Sequence, residues 1–181
     1  KYLDSHYFYK IIYAKTKAVH MPERNLKCVP SLKELNAYYN DFEGMKIKVR
    51  SYKNRGLGIQ ATEDIPKGRV VAYYRVRKVN VNSHTKCSAY TVDVGNKKDG
   101  VLDETLVYGT YRNIPYVGSF CNEPGYDKTE NVDLYDASPT NIPGFKDMKL
   151  VSTRNIKKGE EIVWCYGKSY GKRNYETRCE Q

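Results

Sequence analysis

Residues 160–171, EEIVWCYGKSYG, contain the only tryptophan of the chain, together with a cysteine and two tyrosines. The apolar run at 162–164 is typical of a buried strand, and Gly167 predicts the turn that ends it. A tyrosine at such a junction has its ring held by the strand while its hydroxyl can point into a cleft. Tyr166 is therefore either part of the core packing or part of an active site, and the rest of the sequence must separate the two.

The composition is that of an ordinary globular domain. The chain has 181 residues, 40% of them hydrophobic, which is enough for one domain with its own core. No stretch approaches the ~20 apolar residues that a membrane-spanning helix needs, so we expect no membrane partner.

The cysteines are scattered along the chain: Cys28, Cys87, Cys121, Cys165 and Cys179. Their odd number and the absence of a C-x-x-C pair argue against a zinc site and against a disulfide framework. We therefore expect no metal, and a reducing compartment, either the nucleus or the cytoplasm.

The positive charge is concentrated near the N-terminus. The formal net charge is +10, and residues 1–55 hold twelve Lys or Arg against five Asp or Glu, a net of +7. Such an excess favours either an acidic partner, including nucleic acid, or a flank that is merely solvated. The charge alone leaves both readings open.

A helix is predicted over residues 31–44, SLKELNAYYNDFEG. Ser31 and Glu34 form a capping box, and Gly44 provides the stop. One face of this helix is apolar: Leu32, Leu35, Tyr39 and Phe42. A second short amphipathic helix is predicted over residues 2–13.

After residue 46 the pattern changes to short apolar or alternating runs separated by Gly, Pro, Asn and Asp. The runs are IKVRS, LGIQA, RVVAYYRVRKV, AYTVDV, GVLDETLVY, PYVGSFC, NVDLY, KLVSTR and EEIVWCYG. Many short strands at this spacing predict a β-rich domain. Most of the eighteen tyrosines lie in or beside these runs, where a half-buried sheet suits them.

Four segments carry a more specific signal. They are RGLGIQATEDIPKG (55–68), AYTVDV (89–94), SFCNEP with ENVDL (119–134) and GEEIVWCYG (159–167). Each is weak alone, because a G-x-G is more often a turn than a binding loop. In this order they resemble the SET-domain protein lysine methyltransferases, and the resemblance covers about residues 47–170.

The resemblance implies a SET-domain fold of small curved β-sheets with a pseudoknot-like C-terminal crossing. Residues 1–46 would form a short helical N-terminal flank, 47–170 the catalytic domain and 171–181 a C-terminal tail. This sequence departs from the family pattern at four positions. Glu123-Pro124 replaces His-Ser, Glu130 replaces Pro, and Cys165 replaces a frequent Asp.

The resemblance also implies methyl transfer from S-adenosylmethionine to a lysine amine. Tyr166 would be the catalytic residue that orients the methyl group, and Asn131 would support the crossing loops. The cofactor would contact Leu57, Gly58, Asn122, Glu123 and Tyr166. The substrate-lysine channel would be lined by Tyr74, Tyr90 and Trp164. Trp164 occupies the position that governs how many methyl groups fit: it offers no hydroxyl to hold a water, yet it is large, so the degree of methylation stays open.

The implied partner is a protein substrate, with a histone tail expected first and a non-histone protein as the alternative. A basic enzyme does not obviously attract a basic tail. Either the cleft is locally acidic, or the basic flank contacts nucleosomal DNA. Candidates for an acidic cleft are Glu123, Asp127, Glu130 and Asp133. Two other classes remain: a SET-like binding module without activity, and a nucleic-acid-binding β-domain.

Overall fold

The structure is a computed structural model that describes residues 30–40, 42–80, 91–93, 98–101, 104–137, 142–167 and 177–179. The helix predicted at 2–13 and the channel residue Tyr90 lie outside these ranges. No helix among the described residues is long and apolar enough to cross a membrane.

The described chain is mostly strand, as predicted. It contains one α-helix, α1 (Leu32–Tyr39), and two short 3₁₀-helices (Glu104–Val107 and Gly118–Phe120). The first five strands are β1 (Ile47–Tyr52), β2 (Gly56–Ala61), β3 (Val70–Asn80), β4 (Thr91–Asp93) and β5 (Lys98–Val101). The others are β6 (Thr110–Tyr111), β7 (Ile114–Pro115), β8 (Val132–Ala137), β9 (Phe145–Ser152) and β10 (Glu161–Ile162).

The start of α1 is confirmed, and its end is earlier than predicted. Ser31 Oγ accepts a hydrogen bond from Glu34 N at 3.3 Å, and the Glu34 carboxylate accepts one from Ser31 N at 2.7 Å. The helix ends at Tyr39 rather than near Gly44. Phe42 N donates to Tyr39 O at 3.1 Å, which closes a turn instead of another helical step.

The strands form three small sheets. Their orders are β1-β2-β10, β4-β5-β3-β9-β8 and β6-β7, and every pairing between these strands is antiparallel. One core joins the two larger sheets to α1. Its largest fully buried side chains are Phe120, Leu35, Ile59, Leu150, Ile156, Ile162, Val76, Val107, Val117, Val132 and Val163.

The predicted C-terminal crossing is present. Ile162 pairs with Ile59 of β2 on one side, and Val163 forms a parallel bridge with Asn122 on the other. Asn131 N donates to Val163 O at 3.0 Å, and Thr153 N donates to Asn131 O at 3.0 Å. The segment that ends in Tyr166 is thus held between β2 and the 122–132 segment.

Two predicted strands are wrong over most of their length. GVLDETLVY continues from β5 into the 3₁₀-helix Glu104–Val107, and the apolar run before Asn122 contains the 3₁₀-helix Gly118–Phe120. A Cβ placed on Gly118 would lie 2.8 Å from Tyr73 O, so the chain turns tightly against β3 there. A short apolar run cannot by itself distinguish a buried strand from a buried turn.

Candidate active site

Tyr166 folds back across the segment that carries Asn122. Trp164 N donates to Asn122 O at 3.0 Å, which fixes the strand end beside that segment. The half-buried Tyr166 then donates from its hydroxyl to Cys121 O at 2.8 Å. Gly167 follows with a φ of +86°, a left-handed conformation that favours glycine. Both the ring and the hydroxyl of Tyr166 therefore have defined positions, and the positive φ of Gly167 is what a turn at this glycine would require.

Glu123 supports Tyr166 through its side chain. Its Oε1 accepts a hydrogen bond from Tyr166 N at 2.8 Å, and the residue is only 3% exposed. Its backbone carbonyl accepts from Arg55 Nη1 at 3.2 Å. The residue that replaces the family histidine thus connects the tyrosine to the G-x-G hairpin.

Glu161 is the centre of a charged network that sequence reasoning missed. Its side chain is 2% exposed, and its Oε2 lies 2.6 Å from Arg55 Nη2 and 3.1 Å from Lys128 Nζ. Its other oxygen accepts from Asn122 Nδ2 at 3.3 Å. A buried carboxylate is tolerated when it is paired and hydrogen-bonded in this way. The signal available in the sequence was an arginine directly before the G-x-G and an acidic residue inside a buried strand.

Gly58 lies at the closest approach of two side chains. A Cβ there would be 2.6 Å from both Asn122 Nδ2 and Tyr52 Cδ2. Glycine is therefore required at position 58 by the packing within the chain itself, whether or not a ligand approaches it. Leu57, the other predicted cofactor residue of this hairpin, is partly buried against the core. Tyr52 carries a second feature: burial raises the pKa of its hydroxyl to about 12.

Asn131 has the supporting role expected of it. It is 1% exposed, its Oδ1 accepts from Val163 N at 2.9 Å, and its Nδ2 donates to Glu161 O at 2.8 Å. Both side-chain atoms are thus used by the backbone of the crossing segment. These bonds fix the strand end before Tyr166.

Two of the predicted channel residues, Tyr74 and Trp164, lie among the described residues. The Trp164 ring lies 5.2 Å from the Tyr166 ring, measured between centroids, with the planes tilted by 58°. Tyr74 is 6% exposed and belongs to the main hydrophobic core. The structure therefore places Trp164 beside Tyr166, and it packs Tyr74 in the core.

Cys165 and Cys179 form a disulfide, so the expectation of no disulfide is wrong for this pair. Thr177 Oγ1 and Arg178 N both donate to Pro124 O, at 2.8 and 3.3 Å. The C-terminal residues thus lie against the turn that carries Glu123. The spacing of single cysteines could not reveal a pair that the fold brings together.

Cys121 is the free cysteine of the described residues, and it is buried. Burial raises the pKa of its thiol well above the ordinary value, so it is an unreactive packing residue. In the described parts of the chain, no three His, Cys, Asp or Glu side chains come together in a way that could hold a metal ion.

This fold and this site define a SET-type domain. The SET domain family model matches residues 56–167, more than half of the chain. The chain belongs to the SET domain family.

Among solved structures, the chain is similar to that of a Plasmodium falciparum protein described as a "putative histone methyltransferase". The two are 19% identical over 68% of this chain and 95% of that chain, with a TM-score of 0.48. No curated protein matches this chain.

Proposed function

We propose that this chain is a protein lysine methyltransferase that transfers a methyl group from S-adenosylmethionine to a lysine amine, with a histone tail as its substrate. The observation that carries the proposal is the position of Tyr166. Its hydroxyl is anchored on Cys121 O and its backbone on Glu123, beside Asn122, in a chain of the SET family.

The residues around Gly58 fit a cofactor of this kind. The Asn122 amide and the Tyr52 ring converge on Gly58, and the Tyr52 hydroxyl is buried with no hydrogen-bond partner among the described residues. Asn122, Glu123 and the backbone of the 57–58 hairpin would hold the cofactor. When bound, S-adenosylmethionine supplies an electrophilic methyl group on a sulfonium.

The substrate amine must lose its proton before it can attack. A free lysine has a pKa of about 10.4 and is charged at neutral pH. An apolar channel with aromatic walls disfavours the ammonium by desolvation, and water then carries the proton away. Trp164, half-buried against the Tyr166 ring, supplies such a wall.

Tyr166 acts by orientation. Its hydroxyl proton is donated to Cys121 O, so the oxygen would meet the methyl group as an acceptor of weak C–H···O contact. Holding two reacting groups in line can remove about 7–11 kcal/mol from a barrier in favourable cases. We therefore assign Tyr166 the role of positioning the methyl group and complementing charge, and give it no role as a base.

A second candidate function is a SET-like binding module with weak or no activity. The observation that favours it is the use of Glu123: where the family has histidine, this chain has a buried carboxylate committed to Tyr166 N. Such a protein would bind S-adenosylmethionine or a protein partner without turnover.

The distribution of acidic side chains supports a basic substrate. Asp127, Glu130 and Asp133 are exposed in the segment that follows Asn122, whereas Glu123 is buried and is no part of an acidic surface. Contact of the basic N-terminal flank with nucleosomal DNA stays a proposal, because most of that flank lies outside the described residues.

Nuclear or cytoplasmic localisation likewise stays a proposal. The Cys165–Cys179 bond speaks against it, since disulfides are rare in reducing compartments.

The test is transfer of labelled methyl groups to histones, nucleosomes and cell extract, with products identified by mass spectrometry. Tyr166→Phe should abolish most lysine methylation, whereas the control Tyr135→Phe, at a tyrosine 49% exposed on β8, should leave it unchanged. Cofactor binding without transfer would select the binding module. Absence of both cofactor binding and methyl transfer would exclude the methyltransferase function.

A further inference from the structure

The resemblance to the family assigns no role to Tyr52. It is the last residue of β1 and pairs across the hairpin with Gly56. Its ring packs on Gly58 from one side while the Asn122 amide approaches the same glycine, each 2.6 Å from where a Cβ would be. Tyr52 thus contacts one of the two predicted cofactor elements and lies next to the other.

The Tyr52 hydroxyl is buried and has no hydrogen-bond partner among the described residues. A buried hydroxyl without a partner is costly, and native proteins rarely keep one without a reason. A phenylalanine at this position would fill the same space without that cost. The hydroxyl therefore points to a partner that arrives from outside the chain.

The surroundings of this hydroxyl favour an anionic partner. The Arg55 guanidinium lies 5.4 Å from the centre of the Tyr52 ring, and Arg50, two residues before Tyr52 on β1, pairs across the hairpin with Gly58. The nearby carboxylate of Glu161 is already paired with Arg55 and Lys128. Arg50 and Arg55 therefore outnumber the single carboxylate near this hydroxyl.

We propose that Tyr52 is a further cofactor-binding residue, whose hydroxyl donates a hydrogen bond to the α-carboxylate of S-adenosylmethionine while its ring walls the site beside Gly58. The carboxylate is the only anionic group of this cofactor, because the sulfonium and the α-ammonium are cationic. This inference rests on the proposed function and adds the residue that recognises the amino-acid end.

The experiment compares two ligands by calorimetry: S-adenosylmethionine and decarboxylated S-adenosylmethionine, which lacks only the carboxylate. Tyr52→Phe should weaken binding of the first about 10–100-fold, the effect of one lost hydrogen bond to a charged group, and should leave the second within two-fold of wild type. Tyr135→Phe serves as the matched control and should change neither. Without ligand, Tyr52→Phe should melt no earlier than the wild type, because the hydroxyl that it removes has no partner.

The outcomes separate this inference from the proposed function. Failure of the wild-type protein to bind S-adenosylmethionine would overturn both. Wild-type binding that Tyr52→Phe leaves unchanged would overturn the role of Tyr52 alone. An equal loss for both ligands would overturn it as well, since recognition of the carboxylate requires a selective loss.

Discussion

The five-stranded sheet and the crossing segment at the site are held together by different means. β3 pairs with β9 along a ladder that runs from Val70 opposite Val151 to Arg77 opposite Phe145. Many backbone hydrogen bonds therefore hold these two strands together. β10 is only two residues long, and beyond it a few backbone bonds are supplemented by side chains such as Asn131 and Glu123. The stability of the sheet therefore depends on a repeated pattern of backbone pairing, whereas the structure of the site depends on individual side chains.

At one position the sheet, too, depends on individual side chains. Arg75 on β3 and Asp147 on β9 form a bidentate ion pair, with Nε–Oδ1 and Nη2–Oδ2 distances of 2.6 and 2.7 Å. Tyr116 accepts from Arg75 Nη2 at 2.8 Å and lies under the guanidinium, 4.1 Å from ring centre to Cζ. These contacts fix one register across the sheet where the ladder alone could slip.

The largest effect is expected at this pair. Asp147→Ala would remove the carboxylate that pairs with the Arg75 guanidinium, which is 4% exposed. Breaking a buried pair in this way typically lowers the free energy of unfolding by about 3–5 kcal/mol. Urea denaturation measures the loss. The double variant Arg75→Met/Asp147→Leu should recover most of it, and a double variant as unstable as the single one would contradict this account.

A smaller loss is expected at the site from Asn131→Ala. It leaves Val163 N–H and Glu161 C=O, both in a buried segment, without their partners, which we expect to cost about 2–4 kcal/mol. Asn155→Ala is the matched control, because Asn155 also accepts from a backbone N–H, that of Lys67, but at an exposed position. Denaturation curves of equal midpoint for the two variants would show that the crossing does not depend on Asn131.

Reduction of the disulfide should have a comparable or slightly smaller effect. Cys165 and Cys179 are separated by 14 positions, and closing a loop of this length stabilises a folded protein by about 3 kcal/mol in the chain-entropy account. Thermal unfolding with and without a reductant measures the difference. The double variant Cys165→Ser/Cys179→Ser should melt at the same temperature in both. A wild-type melting temperature that ignores the reductant would refute the role of the bond.

The smallest effect is expected from Lys128→Ala. The Lys128 side chain is 41% exposed, and the buried Glu161 keeps Arg55 as its closer partner. The free energy of unfolding should fall by less than about 1 kcal/mol, and the difference should shrink further in high salt. A loss of unfolding free energy as large as that of Asn131→Ala would mean that ion pairs hold the site together. That result would contradict the view that single hydrogen-bonding side chains do so.

Local chemistry was sufficient to predict much of the fold. The capping box of Ser31 and Glu34 set the start of α1 correctly, because it depends on residues three positions apart. Alternation and turn residues likewise identified the long strand β3 and the second half of β9. The prediction failed at Gly118, where contact with Tyr73, far away in the sequence, makes an apolar run turn instead of extend.

The site was predictable only through its motif residues. Asn122, Gly58 and Tyr166 could be named from their segments, and the structure places the first close to each of the other two. The network of Glu161 with Arg55 and Lys128 could not be predicted. Arg55 lies 106 positions from Glu161 and Lys128 lies 33 positions from it, and no local sequence rule connects residues so far apart.

The contact between Tyr52 and Gly58 has a consequence for how this family of chains can diverge. A side chain at position 58 needs the volume that the Tyr52 ring occupies, so a relative with alanine or a larger residue there should carry a smaller residue at position 52. Substitutions at the two positions should therefore be inherited together. In a set of homologous sequences this pair would be visible as correlated variation across the β1–β2 hairpin.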